Sequence, residues 1–250
     1  MDLARKAFAE NFVPNVPALE FASTLGKRTA EMHLALAAEK KDIDFVPEKF
    51  SSEDKAELLQ KFQLQLEKVM VGLNEALPHL TPATKLLADE MLALKPAFHK
   101  FISEMADSQF DSMKIRVHGD YHLGQVLWTG KDVVILDFEG EPAKSLIERR
   151  KKFSPWKDVA GMIRSFHYAI YSIGSEINAE SWHQSMKERF LNSYTHGLQG
   201  TELLPTEEIQ VKLLQFFLID KAIYELEYEL NNRPTWVHIP LFGILSLMRN

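Results

Sequence analysis

The stretch VHGDYHLGQVLWTGKDVVILDFEGEP, residues 117–142, sets Asp120, His118, His122, Gln125, Asp137 and Glu139 among runs of Val, Ile and Leu. Carboxylates brought close together repel unless a proton or a cation lies between them. Magnesium takes hard oxygen ligands, few of them from protein, and fills its shell with water and substrate phosphates. Asp137, Glu139 and the amide oxygen of Gln125 are suited to that task, which leaves Asp120 free to act as a base. The chain contains no cysteine, so thiolate nucleophiles and cysteine-based zinc sites are excluded. A hydrolase using a metal held by His118, Asp120, His122 and Asp137 is a competing use of the same residues.

Either chemistry requires Asp120 and Asp137 to meet. The runs QVLW and DVVIL flank TGK, which reads as a tight hairpin. A hairpin returns the chain on itself, so the residue before its first strand and the residue after its second can share one end. Helices surround it. Residues 19–38 carry Phe21, Leu25, Met32 and Leu36 on one side. Ser51 or Ser52 caps a second helix with the stripe Leu58, Phe62, Leu66, Val69 and Leu73. Thr81 and Pro82 open a third, with Leu87, Met91, Leu94, Phe98 and Met105 inward. Ser154 and Pro155 start a fourth, whose core face is Val159, Met162, Ile163, Phe166 and Ile170. Its first turn holds Asp158, placed to brace a loop or interact with the helix dipole. Further helices are expected over 179–196 and 206–231. On the last, Phe216, Ile219, Ile223, Leu226 and Leu230 fall on one side, and Lys221, Tyr224, Glu225 and Tyr228 on nearly the opposite side. That second face mixes rings with hydrogen-bonding groups, which suits a sugar; a solvated helix face is the other reading.

With 250 residues, 46% hydrophobic and 26% charged, the chain can build a sizeable core. Its net charge of −6 shows no basic face, which argues against nucleic acid as a partner. The start, MDLARKAFAENFVP, lacks the apolar stretch of an export signal, and no run is long enough to span a membrane. A cytoplasmic protein is expected, mainly α, forming one unit with a small central β-hairpin.

HGDYHLGQ followed by ILDFEG resembles the paired signature of the aminoglycoside-phosphotransferase and protein-kinase-like superfamily. The run is similar in more detail to maltokinases, including those fused to trehalose synthase. LGKRTAEMHLALA, ERRKKFSPWKDVAGMIRSFHYA and DKAIYELEYELNNRP share that likeness, which extends over about residues 20–245. The resemblance implies transfer of the ATP γ-phosphoryl group to maltose or a related sugar. In it Asp120 is the catalytic base, and Gln125, Asp137 and Glu139 hold Mg2+. His118 and Asp158 support the loop, and the sugar meets Lys221, Tyr224 and Tyr228, with Glu225, His122 and Trp236 as additions.

The implied fold is a protein-kinase-like C-terminal lobe. Residues 1–110 form its helical part, 111–142 the catalytic loop, hairpin and metal loop, and 143–250 the helical substrate-binding part. No G-x-G-x-x-G and no strand-borne lysine of the V-A-I-K kind is present. The expected partner is therefore an N-terminal nucleotide lobe or a fused trehalose synthase. Weak ATP binding, little or no kinase activity and self-association through an exposed cleft are expected of these residues alone. A phosphotransferase for another small hydroxyl compound, or a non-catalytic sugar-binding or interaction module, are the alternatives.

Overall fold

Apolar residues at three- and four-residue intervals build the helices, and serine, threonine and proline set their starts. The computed structural model describes residues 16–38, 41–142, 144–172 and 179–249; the N-terminal segment read for an export signal lies outside them. In chain order the elements are α1 (Val16–Leu36), β1 (Glu48–Lys49), α2 (Ser52–Ala76), α3 (Pro82–Ala93) and α4 (Lys95–Asp107). Then follow β2 (Met113–Lys114), β3 (Val126–Trp128), β4 (Val133–Ile135), α5 (Leu146–Arg150), α6 (Trp156–Tyr171), α7 (Ala179–Gly197), α8 (Glu207–Asn232) and α9 (His238–Arg249). None of the described helices is long and apolar enough to cross a membrane.

The chain packs as two units, Met1–Lys49 with Asp111–Gln210, and Phe50–Phe110 with Val211–Asn250. The sequential segments 1–110, 111–142 and 143–250 therefore do not coincide with the packing units, since the first and last are each divided between both.

In the first unit α1 lies against α7, at a spacing that only glycine permits. A Cβ on Gly26 would stand 2.2 Å from the Phe190 carbonyl oxygen. α6 packs on α7 through Phe166 and Phe190, edge to face at 5.7 Å. β3 and β4 pair antiparallel, with Val126 opposite Ile135 and Trp128 opposite Val133. The hairpin is fastened to α1 twice. Phe21 meets Trp128 edge to face at 5.4 Å, and Arg28 grips both carboxylate oxygens of Asp132, beside the turn, at 2.8 and 2.7 Å. β1 pairs with β2, and Ile115 bridges to Phe153 just ahead of α6. In the second unit Phe62, Phe101 and Phe216 join α2, α4 and α8 with ring centres 5.4–6.3 Å apart.

Several local expectations shift. The α2 stripe begins at Leu59, not Leu58; Leu59, Phe62, Leu66, Val69 and Leu73 keep a three–four alternation that Leu58 breaks. Ser51 is its N-cap, in a capping box with Asp54. The single helix expected after Thr81 is two, α3 and α4, meeting at Leu94. Pro96 lacks an N–H and crowds the residue before it, so the chain restarts there. Leu87 and Leu94 are half-buried as a result, while Met91, Phe98 and Met105 are core. Leu36 and Leu230, close to helix ends, are also only half-buried. α6 begins at Trp156, one residue later than Ser154 and Pro155 suggest, and Ser154 Oγ still accepts the Trp156 N–H at 3.4 Å.

Candidate active site

The hairpin closes the distance between the two acidic loops. At its open end the Leu136 N–H donates to the Gln125 carbonyl at 2.9 Å. One histidine then ties the loops together. His118 Nε2 donates to the Leu136 carbonyl at 2.8 Å, and its Nδ1 accepts the Asp120 N–H at 3.4 Å. Its ring lies 5.1 Å from that of Phe138. The backbones meet as well. Gly119 and Gly140 have φ of 84° and 75°, and a Cβ on Gly119 would come within 3.5 Å of the Gly140 Cα. His118 is buried, and these bonds join it to both loops.

Asp120 and His122 line the accessible side, with side chains 24% and 18% exposed. His122 Nδ1 accepts the Gly124 N–H at 3.0 Å. A neutral ring thus carries its proton on Nε2, which faces Asp120 Oδ2 at 3.8 Å. Gln125 Nε2 donates to Asp137 Oδ2 at 3.0 Å, so an amide and a carboxylate stand side by side. Asp137 has φ of 62°, the left-handed region, where no other described non-glycine residue sits. Such strain costs about 1–3 kcal/mol and persists where the surroundings impose it. Glu139 is exposed two positions on.

Among the described residues no three His, Cys, Asp or Glu gather as a metal-binding group. A half-turn of the Gln125 amide would present Oε1 beside the Asp137 carboxylate, two oxygen donors of the kind Mg2+ takes. The hydrolase reading loses a ligand. Both nitrogens of His118 are engaged by backbone groups, so His118 is not a ligand beside Asp120, His122 and Asp137.

Asp158 supports the loop from beneath. Its carboxylate accepts the His118 N–H at 2.7 Å and the Gly119 N–H at 3.0 Å. It also accepts from His33 Nε2 at 3.1 Å. Burial by itself would raise its pKa. The His33 hydrogen bond, the charge interactions with His33 and His118 and the Gly119 N–H outweigh burial and hold it below the usual value of 3.8. His33 Nδ1 in turn faces the Tyr194 hydroxyl at 2.9 Å. Burial, with the Asp158 charge, pushes Tyr194 well above the usual tyrosine value and keeps it a proton donor. α6 approaches the loop closely: a Cβ on Gly161 would lie 2.8 Å from the Tyr121 carbonyl, and Ser165 Oγ accepts the Leu123 N–H at 3.0 Å. Tyr121 falls inside HGDYHLGQ and Thr29 inside LGKRTAEMHLALA without a role of its own in either run, and Tyr194 lies outside the quoted runs. His33 lies within LGKRTAEMHLALA, and only its burial on α1 beside Asp158 gives it a role.

Of the expected sugar-binding residues, His122 lies in the first unit beside Asp120, and Lys221, Tyr224, Glu225, Tyr228 and Trp236 belong to the second. Lys221 Nζ sits over the Tyr224 ring at 4.6 Å. Tyr228 is 45% exposed, and Glu225 and Trp236 are half-buried. Sequence reading missed Arg233, which joins two of these. Its guanidinium lies 5.3 Å from the Tyr228 ring and 4.9 Å from the Trp236 ring. The buried Glu229 holds it bidentately at 2.9 and 2.6 Å.

No family model matches the chain. It is 23% identical over 233 residues to a glucosamine kinase of Streptacidiphilus jiangxiensis, covering 91% of this chain and 49% of that protein. It is 29% identical over 136 residues to a glucosamine kinase of Mycolicibacterium smegmatis, covering 52% of this chain and 34% of that one. The chain thus spans about half or less of the curated relatives it matches. Both are named glucosamine kinases, so the finer likeness to maltokinases gains nothing from them. Crystal form B of glucosamine kinase superposes with a TM-score of 0.80 at 21% identity, over 99% of this chain and 56% of that one. The complex of glucosamine kinase with glucosamine, ADP and inorganic phosphate gives 0.79 at 22%, over 98% and 55%. Over almost its whole length, therefore, this chain shares the fold of rather more than half of glucosamine kinase.

Proposed function

We propose that this chain provides the catalytic and metal loops of an ATP-dependent sugar phosphotransferase. The observation that carries the reading is the His118 bridge, which holds the loop bearing Asp120 against the loop bearing Asp137. The Gln125–Asp137 pair is the proposed Mg2+ anchor, with exposed Glu139 as an accessory, and the ion would neutralise phosphate charge when bound. Asp120 receives the proton of the sugar hydroxyl as its oxygen bonds to the γ-phosphorus and ADP departs. His122 turns its Nε2–H toward Asp120 and helps orient the incoming hydroxyl. Asp158 and His118 fix the loop, so little is left to reorganise when the sugar arrives.

The acceptor is a sugar. Glucosamine is the acceptor named for the relatives, and the Lys221, Tyr224 and Tyr228 face together with the maltokinase resemblance supports maltose. A nucleotide lobe, or a fused trehalose synthase partner, that supplies the remaining ATP contacts is part of the same proposal.

Coupled ADP release with ATP, Mg2+ and either sugar tests the reaction. Asp120→Asn should lower any sugar-dependent turnover by about 100-fold or more. Mn2+ standing in for Mg2+ should broaden the NMR signals of Gln125 and Asp137 in the intact chain. Sugar-dependent turnover that survives Asp120→Asn, or Mn2+ broadening elsewhere only, defeats the assignment. Calorimetric sugar binding with no turnover would favour a binding module.

A further inference from the structure

α1 reaches the catalytic loop at two points, one on each side of Asp120. Upstream, His33 Nε2 donates to Asp158 Oδ2 at 3.1 Å, and Asp158 holds the His118 and Gly119 amides at 2.7 and 3.0 Å. Downstream, Tyr121 is buried and its hydroxyl lies 2.8 Å from Thr29 Oγ1. The Thr29 proton already goes to the Leu25 carbonyl at 2.8 Å, so Tyr121 is the donor. Thr29 and His33 are four residues apart and stack on one face of α1. Tyr194 on α7 faces the second nitrogen of His33 at 2.9 Å, which orients the ring. Thr29, His33, Tyr121, Asp158 and Tyr194 are all buried. Hydrogen bonds there are short of competing water, and losing one partner leaves a polar group exposed to apolar surroundings.

We infer that Thr29 and His33 are positioning residues, which set the direction of Asp120 by anchoring the backbone immediately before it and the side chain immediately after it. This rests on the phosphotransfer reading only for its consequence in catalysis; the anchoring itself stands on geometry. The hairpin face of the loop is fixed separately by His118, so α1 controls the loop's tilt toward the acceptor side. Tyr194 acts one step further away, through the His33 ring.

The decisive variants are Tyr121→Phe and Thr29→Val, which break the same bond with little change of volume, and Thr29→Ser, which keeps the hydroxyl. Amide hydrogen exchange of the intact chain is the primary readout. Residues 118–121 should exchange roughly tenfold faster in Tyr121→Phe and Thr29→Val, while α6 amides are unchanged and Thr29→Ser behaves like the parent. The two breaking variants should not add. Loop exchange that stays unchanged, or that rises equally with α6, overturns the inference. His33→Gln, which keeps a donor toward Asp158, should protect the loop better than His33→Ala; equal loss in both argues for bulk packing and against positioning.

The kinetic arm separates this from the parent reading. Where the chain phosphorylates a sugar, Thr29→Val should lower kcat roughly tenfold at unchanged sugar KM. A raised KM at unchanged kcat overturns the inference. Where the unaltered chain shows no turnover, the outcome expected of these residues without a nucleotide lobe, exchange by itself decides the positioning role, and Mn2+ broadening at Gln125 and Asp137 tests the phosphotransfer reading separately.

Discussion

Asp137 and Asp158 show how differently two carboxylates are used within one unit. Asp137 is exposed, strained at a φ of 62° and paired with Gln125. Asn tolerates the left-handed region about as well as Asp. Asp137→Asn should therefore abolish Mn2+ broadening at Gln125 while leaving the unfolding free energy within about 0.5 kcal/mol of the parent. A large loss of stability would mean that the residue is structural. Asp158 is buried and saturated with donors. Asp158→Asn keeps the shape but forfeits the charge on which those donors depend, and should cost about 1–3 kcal/mol in thermal or urea unfolding. The pattern HGD marks Asp120 in the sequence; nothing in the sequence marks His33 as its distant support.

Helix contacts in this chain are set by glycine where backbones touch. Gly26 cannot carry a methyl group without pushing α1 away from the Phe190 carbonyl, 2.2 Å from the position of its Cβ. Gly72, inside α2, has nothing within 4 Å of the same position. The two alanine substitutions should therefore have opposite signs. Gly26→Ala should destabilise by about 1–3 kcal/mol through overpacking, and Gly72→Ala should stabilise by about 0.5–1 kcal/mol through lower unfolded-state entropy. Chemical denaturation of both variants checks the pair, and equal shifts would show that the close approach of α1 and α7 is not what Gly26 serves. At this scale periodicity was legible: the Phe62, Leu66, Val69 and Leu73 stripe and the whole inward face of α6 are buried as their spacing suggests. The α3–α4 break was not, because apolar spacing runs through Pro96 as if the helix continued.

At the scale of the molecule, acid should loosen both units. In the first, Asp158 is held low as described, Glu48 is lowered by its hydrogen bond to Lys152, and Arg28 brings Asp132 down to about 2. In the second, burial opposes but the Lys68 and Gln65 hydrogen bonds still lower Glu227. A carboxylate whose folded pKa lies below its unfolded value stabilises the fold above that unfolded value. The contribution is lost as pH falls through the folded one. Stability should thus be level above about pH 5 and decline steadily toward pH 2. Circular dichroism melts across that range test this, and a pH-independent midpoint between 6 and 3 would remove these pairs from the account. Asp158→Asn should flatten the part of the decline below the usual aspartate value of 3.8, since the buried member titrates no more.

The sequence by itself determined the local pieces: helices from period, the hairpin from two apolar runs around Thr129 and Gly130, and the acidic loops from HGD and DFEG. Those features depend on neighbours within a few residues, and local sterics and hydrogen bonding decide them. Only the tertiary structure decided that the described residues of 1–49 pack with those of 111–210, and that Thr29 reaches the loop directly while His33 reaches it through Asp158. These contacts join residues far apart in the chain, on separate elements. Any polar residue on a buried stripe satisfies the same periodic pattern, and which partner it finds is fixed only when the helices choose their neighbours.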